Sequence, residues 1–148
     1  MEICVEVRKI ETKDTYPARQ EVLRPGRPLE TCFFEGDDLE QTFHLGAIID
    51  EKIVSVASFY LEAHPDIANP FQFRLRGMAT LEAYRGKGIA CSLLKAAYPL
   101  ILKNHVHLLW CHARSEAVGF YDKMGFQTQG EEFEIPDVGP HFLMLNQF

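Results

Sequence analysis

The sequence predicts one α/β domain built on a mixed β-sheet of about six to seven strands flanked by helices. Three observations predict it. The segment from Phe71 to Ala113 reads strand, helix, strand, a βαβ unit whose two strands are parallel neighbours. On either side of it, runs of alternating apolar and polar residues joined by short turns read as antiparallel hairpins. The length of 148 residues is that of one domain, expected to span 1–148, and long enough to fold without a disulfide or metal staple.

Each element has its own signal. In "EICVEVRKI", residues 2–10, Ile3, Val5 and Val7 alternate with Glu6 and Arg8, the period of a half-buried strand. "TKDTYPARQEVL", residues 12–23, is a short helix with Thr12 or Asp14 as N-cap, stopped by Pro25-Gly26 and Pro28. From Arg24 to Glu40, turn formers mix with Phe33 and Phe34, the composition of a functional loop expected to shape a substrate pocket. Residues 42–63 read as a hairpin around Asp50-Glu51-Lys52. After the turn-rich "HPDIANP", the strand "FQFRLRGMAT" places Phe71, Phe73 and Leu75 on one face and Gln72, Arg74 and Arg76 on the other.

The next helix carries Ile89, Leu93, Ala96, Ala97 and Leu100 at helical spacing, and Pro99 is expected to bend it because the ring displaces the carbonyl of Lys95. "HVHLLWCHA" is a strand, and "SEAVGFYDKM" a short helix with Ser115 as N-cap and Gly125 just past its end. "FQTQGEEFEI" and "HFLMLNQF" close the chain as two strands around "PDVGP", the last hydrophobic enough to pair across a homodimer.

Composition narrows the function. A chain that is 47% hydrophobic and 24% charged is globular rather than disordered. Fifteen basic against 21 acidic residues give a charge of -6, which argues against nucleic acid as a partner, so any anion must be captured locally. Cys4, Cys32, Cys91 and Cys111 are scattered without CxxC spacing and sit mostly in apolar runs, which reads as buried free thiols and no metal site. Neither a charged start with an apolar h-region nor a membrane-length apolar stretch occurs, so no membrane partner and a cytoplasmic location are expected.

"YRGKGIACSLL", residues 84–94, is the turn from strand to helix in the βαβ unit. Such a turn presents unpaired N–H groups and the positive end of the helix dipole, a site for anions and phosphates above all. Gly86 and Gly88 let a ligand approach the backbone, and Arg85 and Lys87 add charge. The spacing fits neither a P-loop nor a dinucleotide fingerprint, because Ile89-Ala90-Cys91 follows and supplies no magnesium-binding hydroxyl and no third glycine.

Arg85, Gly88 and Ala90 do match the acetyl-CoA motif of Gln or Arg, two residues, Gly, one residue, then Gly or Ala, and "AVGFYDKMGF" from Ala117 to Phe126 matches a second, downstream motif. In these two linked motifs the chain resembles the GNAT superfamily of N-acetyltransferases, most closely over residues 43–133. The resemblance implies a GNAT-like fold with an acetyl-CoA slot between two diverging parallel strands, opened by a bulge for which Gly77 is the candidate. It implies acetyl-CoA as cosubstrate, with the pantetheine arm along the backbone of Met78, Ala79 and Thr80 and the pyrophosphate on the N–H groups of Arg85, Gly86, Lys87, Gly88, Ile89 and Ala90. The implied activity is acetyl transfer to the amine of a small molecule.

By the same resemblance Tyr121 is the proton donor to the departing thiolate, against the plainer reading of a core aromatic on the stripe of Ala117 and Met124. A strand N–H near Thr80 would polarise the carbonyl. The glutamate that many relatives use as base is missing, since the strand offers Gln72, Arg74 and Arg76. The base must come from elsewhere, with Glu132 or His141 as candidates and His112 and Glu82 as more distant ones. Arg114 replaces the usual asparagine and is a candidate CoA contact. If the face of Arg74 and Arg76 lines the acceptor pocket, their guanidinium groups suit an amine that also bears a carboxylate. The missing glutamate keeps an alternative open, a CoA-binding or regulatory module without catalysis.

Overall fold

The alternating stretches form β1 (Glu6–Ile10), β2 (Phe43–Ile49), β3 (Lys52–Leu61), β4 (Phe73–Thr80), β5 (Leu108–Arg114), β6 (Gln127–Ile135) and β7 (Gly139–Gln147). The computed structural model describes residues 5–148 and joins these strands in one sheet of order β1-β2-β3-β4-β5-β7-β6. Ile3 of the expected first strand and the thiol of Cys4 lie outside the described residues. Only β4 and β5 pair in parallel, as the βαβ unit requires, and the other neighbours are antiparallel. Asp50 (φ 49°) and Glu51 (φ 64°) form the two-residue turn between β2 and β3, left-handed at both positions as the twist of a tight hairpin demands, and Lys52 already belongs to β3.

The sheet has two unlike faces. Phe43, Leu45, Phe59, Phe73 and Leu75 pack against α2 (Ile89–Leu102), whose Ile89, Leu93, Leu94, Ala97 and Ile101 are all buried. The helix runs unbroken to Leu102 with Pro99 in its last turn. None of the described helices is long and apolar enough to cross a membrane.

The opposite face is covered by α1 (Thr12–Ala18) and is polar at its centre. Glu11 rather than Thr12 or Asp14 caps α1; Asp14 sits one turn in and accepts the Glu11 N–H at 3.0 Å. Pro17 has no N–H to continue the ladder, and past it the helix widens into a π turn over Arg19–Leu23, closed by the Arg24 N–H on the Arg19 carbonyl. Arg19, 0% exposed, enters the protein there. Its guanidinium donates to both oxygens of Asp37 (2.8 and 3.0 Å), to the Cys32 carbonyl (2.8 Å), to Ser58 Oγ (2.9 Å) and to the Tyr60 hydroxyl (3.2 Å). Burial pushes the Asp37 carboxyl up, but hydrogen bonds from Arg19, Tyr60 and the Phe34 N–H outweigh it and hold the group below its ordinary range. This cluster pins the 24–42 loop to β3.

Four further expectations are corrected. β4 begins at Phe73, so Phe71 is exposed and Gln72 buried, where its amide accepts the His64 N–H (2.7 Å) and donates to the Ile67 carbonyl (3.3 Å), tying down the loop before the strand. Ser115 does not cap the last helix: a 3-10 turn over Ser115–Ala117 precedes α3 (Val118–Lys123), Ala117 is the cap, and the Ser115 hydroxyl donates to Glu132 at 2.7 Å. The last strand, β7, lies between β5 and β6 with both backbone edges used, so it offers no edge to a second copy. Of the cysteines expected to be buried, Cys32 and Cys111 are, while Cys91 is half-exposed.

Arg19→Met should cost about 3–5 kcal/mol of unfolding free energy in urea, because the Asp37 carboxylate is left buried without its cation. Adding Asp37→Asn should recover part of the loss; a double variant as unstable as the sum of the singles would show that the pair is not coupled.

Candidate active site

β4 and β5 are in register at only two positions, Phe73 with Leu109 and Arg74 with Trp110. Beyond these, β4 continues to Thr80 bonded only to β3, and β5 continues to Arg114 bonded only to β7. An extra residue in β4 accompanies the divergence. Ser58 pairs with Arg76 and Val56 with Ala79, so Ala57 alone faces both Gly77 and Met78. Gly77 adopts φ 64°, a conformation a side chain resists, and a Cβ there would lie 3.0 Å from Phe34 Cε2 and 3.3 Å from Arg19 Nε. The bulge thus falls where the sequence suggested, and a cavity of about 360 Å³ opens between the strands.

At the end of β4 the chain turns into α2. Gly86 (φ 75°) and Gly88 (φ 77°) are left-handed, Gly88 is the N-cap, and a Cβ on either would meet no protein atom within 4 Å. Backbone conformation demands these glycines, and the space before them is open. The first intrahelical donor is the Ser92 N–H to the Gly88 carbonyl (3.1 Å), which leaves the N–H groups of Ile89, Ala90 and Cys91 without helical partners. Arg85 is tethered back to β4 through Nε on the Thr80 carbonyl (3.1 Å), while Lys87 is exposed. The cradle suits a diphosphate at the positive end of a 14-residue helix. Along the open edge of β4, Met78 lines the slot, Ala79 is buried, and Thr80 turns its hydroxyl to Ser55 (2.7 Å).

Tyr121 reaches the slot from α3. The helix ends in a Schellman motif, with the Phe126 N–H on the Tyr121 carbonyl (3.0 Å) and the Gly125 N–H on the Asp122 carbonyl (3.1 Å), and the Phe126 and Tyr121 rings 5.3 Å apart. That motif is the physical content of "FYDKMGF": left-handed Gly125 lets the chain turn back and fixes Tyr121. Among the described residues its hydroxyl meets only the sulfur of Met78, at 3.9 Å. Burial, and the thiol of Cys111 beside it, push the phenol up, so it stays a proton donor. Burial also pushes the Cys111 thiol up to about 12, so it stays protonated.

On the side of the slot away from α2 stand Arg74, Arg76, His112, Arg114 and His141. His141 is buried, and its Nδ1–H donates to the Gly139 carbonyl (2.8 Å), leaving Nε2 as the acceptor of the neutral ring. His112 is pushed down to about 4, first by burial and then by Arg74, His64 and His141. The two arginines differ. Arg74 is bound to Glu62 (2.8 Å), lies 4.8 Å from the Trp110 ring centroid and has a buried, unpaired Nε. Arg76 has no hydrogen bond or ion pair among the described residues and lies 4.7 Å from the Phe34 centroid; burial and the charge of Arg74 lower its pKa. Arg114 is exposed at the rim.

Glu132 and Glu82 do not line the slot. Three residues of β6, Gly130 to Glu132, bulge out opposite the single Phe142, and Glu132 is bonded to Ser115 on the exposed edge. Glu82 is exposed in the 3-10 turn before the glycine loop. Sequence reasoning missed Arg19, Asp37 and Arg24; the first two hold Phe34 and the third shares the wall with it. Nothing local distinguishes a helix arginine that is buried from one that is solvated.

Comparison with known proteins shows the family and the fold. Residues 32–138 match the family described as "Acetyltransferase (GNAT) domain". The "Uncharacterized N-acetyltransferase YitI" of Bacillus subtilis (strain 168) is 39% identical over 140 residues, 95% of this chain and 94% of that protein. Among solved structures, Escherichia coli ElaA superposes with a TM-score of 0.77 at 15% identity, over 97% of this chain and 100% of that one. The PaiA N-acetyltransferase of Thermoplasma acidophilum, in complex with coenzyme A, gives 0.68 at 17% identity, over 99% and 100%. At such identities the structures bear on the fold alone.

His112 yields a pH prediction. Its folded pKa of about 4 lies below the ordinary 6.5, so between those values the unfolded chain binds the proton first and stability falls as pH falls. His112→Gln should lose less stability than the wild type between pH 6.5 and 4 in urea titrations.

Proposed function

Because the chain belongs to the GNAT acetyltransferase family, we propose that it transfers the acetyl group of acetyl-CoA to the amine of a small molecule that carries a carboxylate. The observation that supports the carboxylate is Arg76, a cation in the slot wall with no anion bound to it among the described residues. Arg74, the other candidate, is already compensated by Glu62 and helps to shape the wall.

The N–H groups from Gly86 to Ala90 hold the diphosphate, that of Arg85 being already donated to the Glu82 carbonyl (3.2 Å), and the backbone of Met78 and Thr80, on the edge open toward β5, pairs with the amides of the pantetheine arm, while Ala79 turns its backbone to β3. Arg114 at the rim is a further phosphate contact. Acetyl-CoA supplies an activated thioester whose acyl carbon a neutral amine can attack. Nε2 of His141 takes the amine proton, a slot-facing N–H near Thr80 polarises the carbonyl, and the Tyr121 hydroxyl gives a proton to the departing sulfur. The C–N bond forms as the C–S bond breaks. Glu132, outside the slot, is not needed as base.

Thiol release from acetyl-CoA is the test, run over a panel of amino acids paired with their decarboxylated amines. Arg76→Gln should lose kcat/KM by about 10- to 100-fold on carboxylate-bearing acceptors and remain within about two-fold on their partners, the scale of one charge-assisted hydrogen bond. Equal losses on both would sink the carboxylate, and tight CoA binding with no thiol released over the panel would favour the non-catalytic module. Tyr121→Phe should lower kcat by about 100-fold with little change in KM for acetyl-CoA, the mark of a lost proton donor.

A further inference from the structure

We infer that Phe34 is a positioning residue that holds the Arg76 guanidinium in the slot wall, ready for the anionic group of the acceptor. The inference rests on the reading of Arg76 given above. A half-buried arginine with no polar anchor ordinarily samples many rotamers, so something other than a hydrogen bond must restrain it. The contacts available to its guanidinium are aromatic: the Phe34 centroid lies 4.7 Å away and that of Tyr60 6.0 Å.

Phe34 is itself fixed. The Arg19 guanidinium lies 4.1 Å from its centroid, and its N–H donates at 2.9 Å to Asp37 Oδ2, an oxygen that also accepts from Arg19. Its Cε2 fills the place where a Cβ on Gly77 would sit. One ring therefore contacts a locked cation, a cation with no anion among the described residues and the bulge that opens the slot, with the Arg24 guanidinium farther off at 5.7 Å. Charge decides what this arrangement is good for. Asp37 compensates Arg19, and no described residue compensates Arg76. A carboxylate at position 34 would hold Arg76 equally well and consume its charge, as Glu62 does for Arg74; a phenyl ring holds it and leaves the charge for a ligand.

Side-chain nitrogen relaxation at the arginine Nε sites tests this without an acceptor. In Phe34→Leu and Phe34→Met the Arg76 order parameter should fall by about a third, from rigid toward flexible, while Arg19, tied by its own hydrogen bonds, stays as in the wild type and reports an intact fold. Phe34→Tyr, which keeps the ring, should restore the wild-type value. Propionate, titrated as a probe carboxylate, should bind about 3- to 10-fold more weakly to the two aliphatic variants and within about two-fold of wild type to Phe34→Tyr. An Arg76 order parameter unchanged in both aliphatic variants overturns the role of Phe34. Propionate that leaves the Arg76 signal of the wild type unmoved overturns the carboxylate reading instead, so the two failures come from different spectra.

Discussion

The geometry of the protein depends on how briefly β4 and β5 touch. Two residue pairs hold the parallel strands together, and the extra residue at Gly77 turns the rest of β4 away. A continuous ladder would have used the backbone edge of β4 and closed the sheet; the interrupted one leaves an edge open to a ligand and a passage from one face to the other. The left-handed glycine makes the interruption affordable, and the close approach of Phe34 and Arg19 requires that it carry no side chain.

Stability and chemistry are divided between the two faces. Aromatic and aliphatic side chains meet α2 on one, where burial of apolar surface is the main stabilising contribution. The other buries an arginine and an aspartate, and such a pair seldom stabilises a fold more than apolar residues of the same size would. What it does here is positional. Five hydrogen bonds from one guanidinium tie the turn that follows α1 to the loop and to β3, and the loop they fix carries Phe34 to the slot.

Protonation states around the slot are set by burial more than by charged neighbours. Tyr121 and Cys111 are kept neutral and protonated, and His112 is kept neutral by the same desolvation, reinforced by surrounding cations. Tyr121 and Cys111 therefore remain protonated, and His112 uncharged, at neutral pH. The family relation establishes an acetyltransferase.

Strand and helix order, the one parallel contact, the glycine turn from Arg85 to Ala90 and the stop at Gly125 were legible in the sequence, because periodicity, turn chemistry and capping act over a few residues, while the bulge at Gly77 and the role of Tyr121 were implied only by the family resemblance. Tertiary structure alone decided what joins residues distant along the chain. It placed β7 inside the sheet, left Glu132 on an exposed edge while His141 entered the slot, paired Arg74 with Glu62 and left Arg76 without an ion pair among the described residues, and buried Arg19 against Asp37. An arginine has the same local pattern whether a carboxylate waits for it 12 or 18 residues away or not at all. Its partner, and so its charge toward a ligand, exists only once the chain has folded.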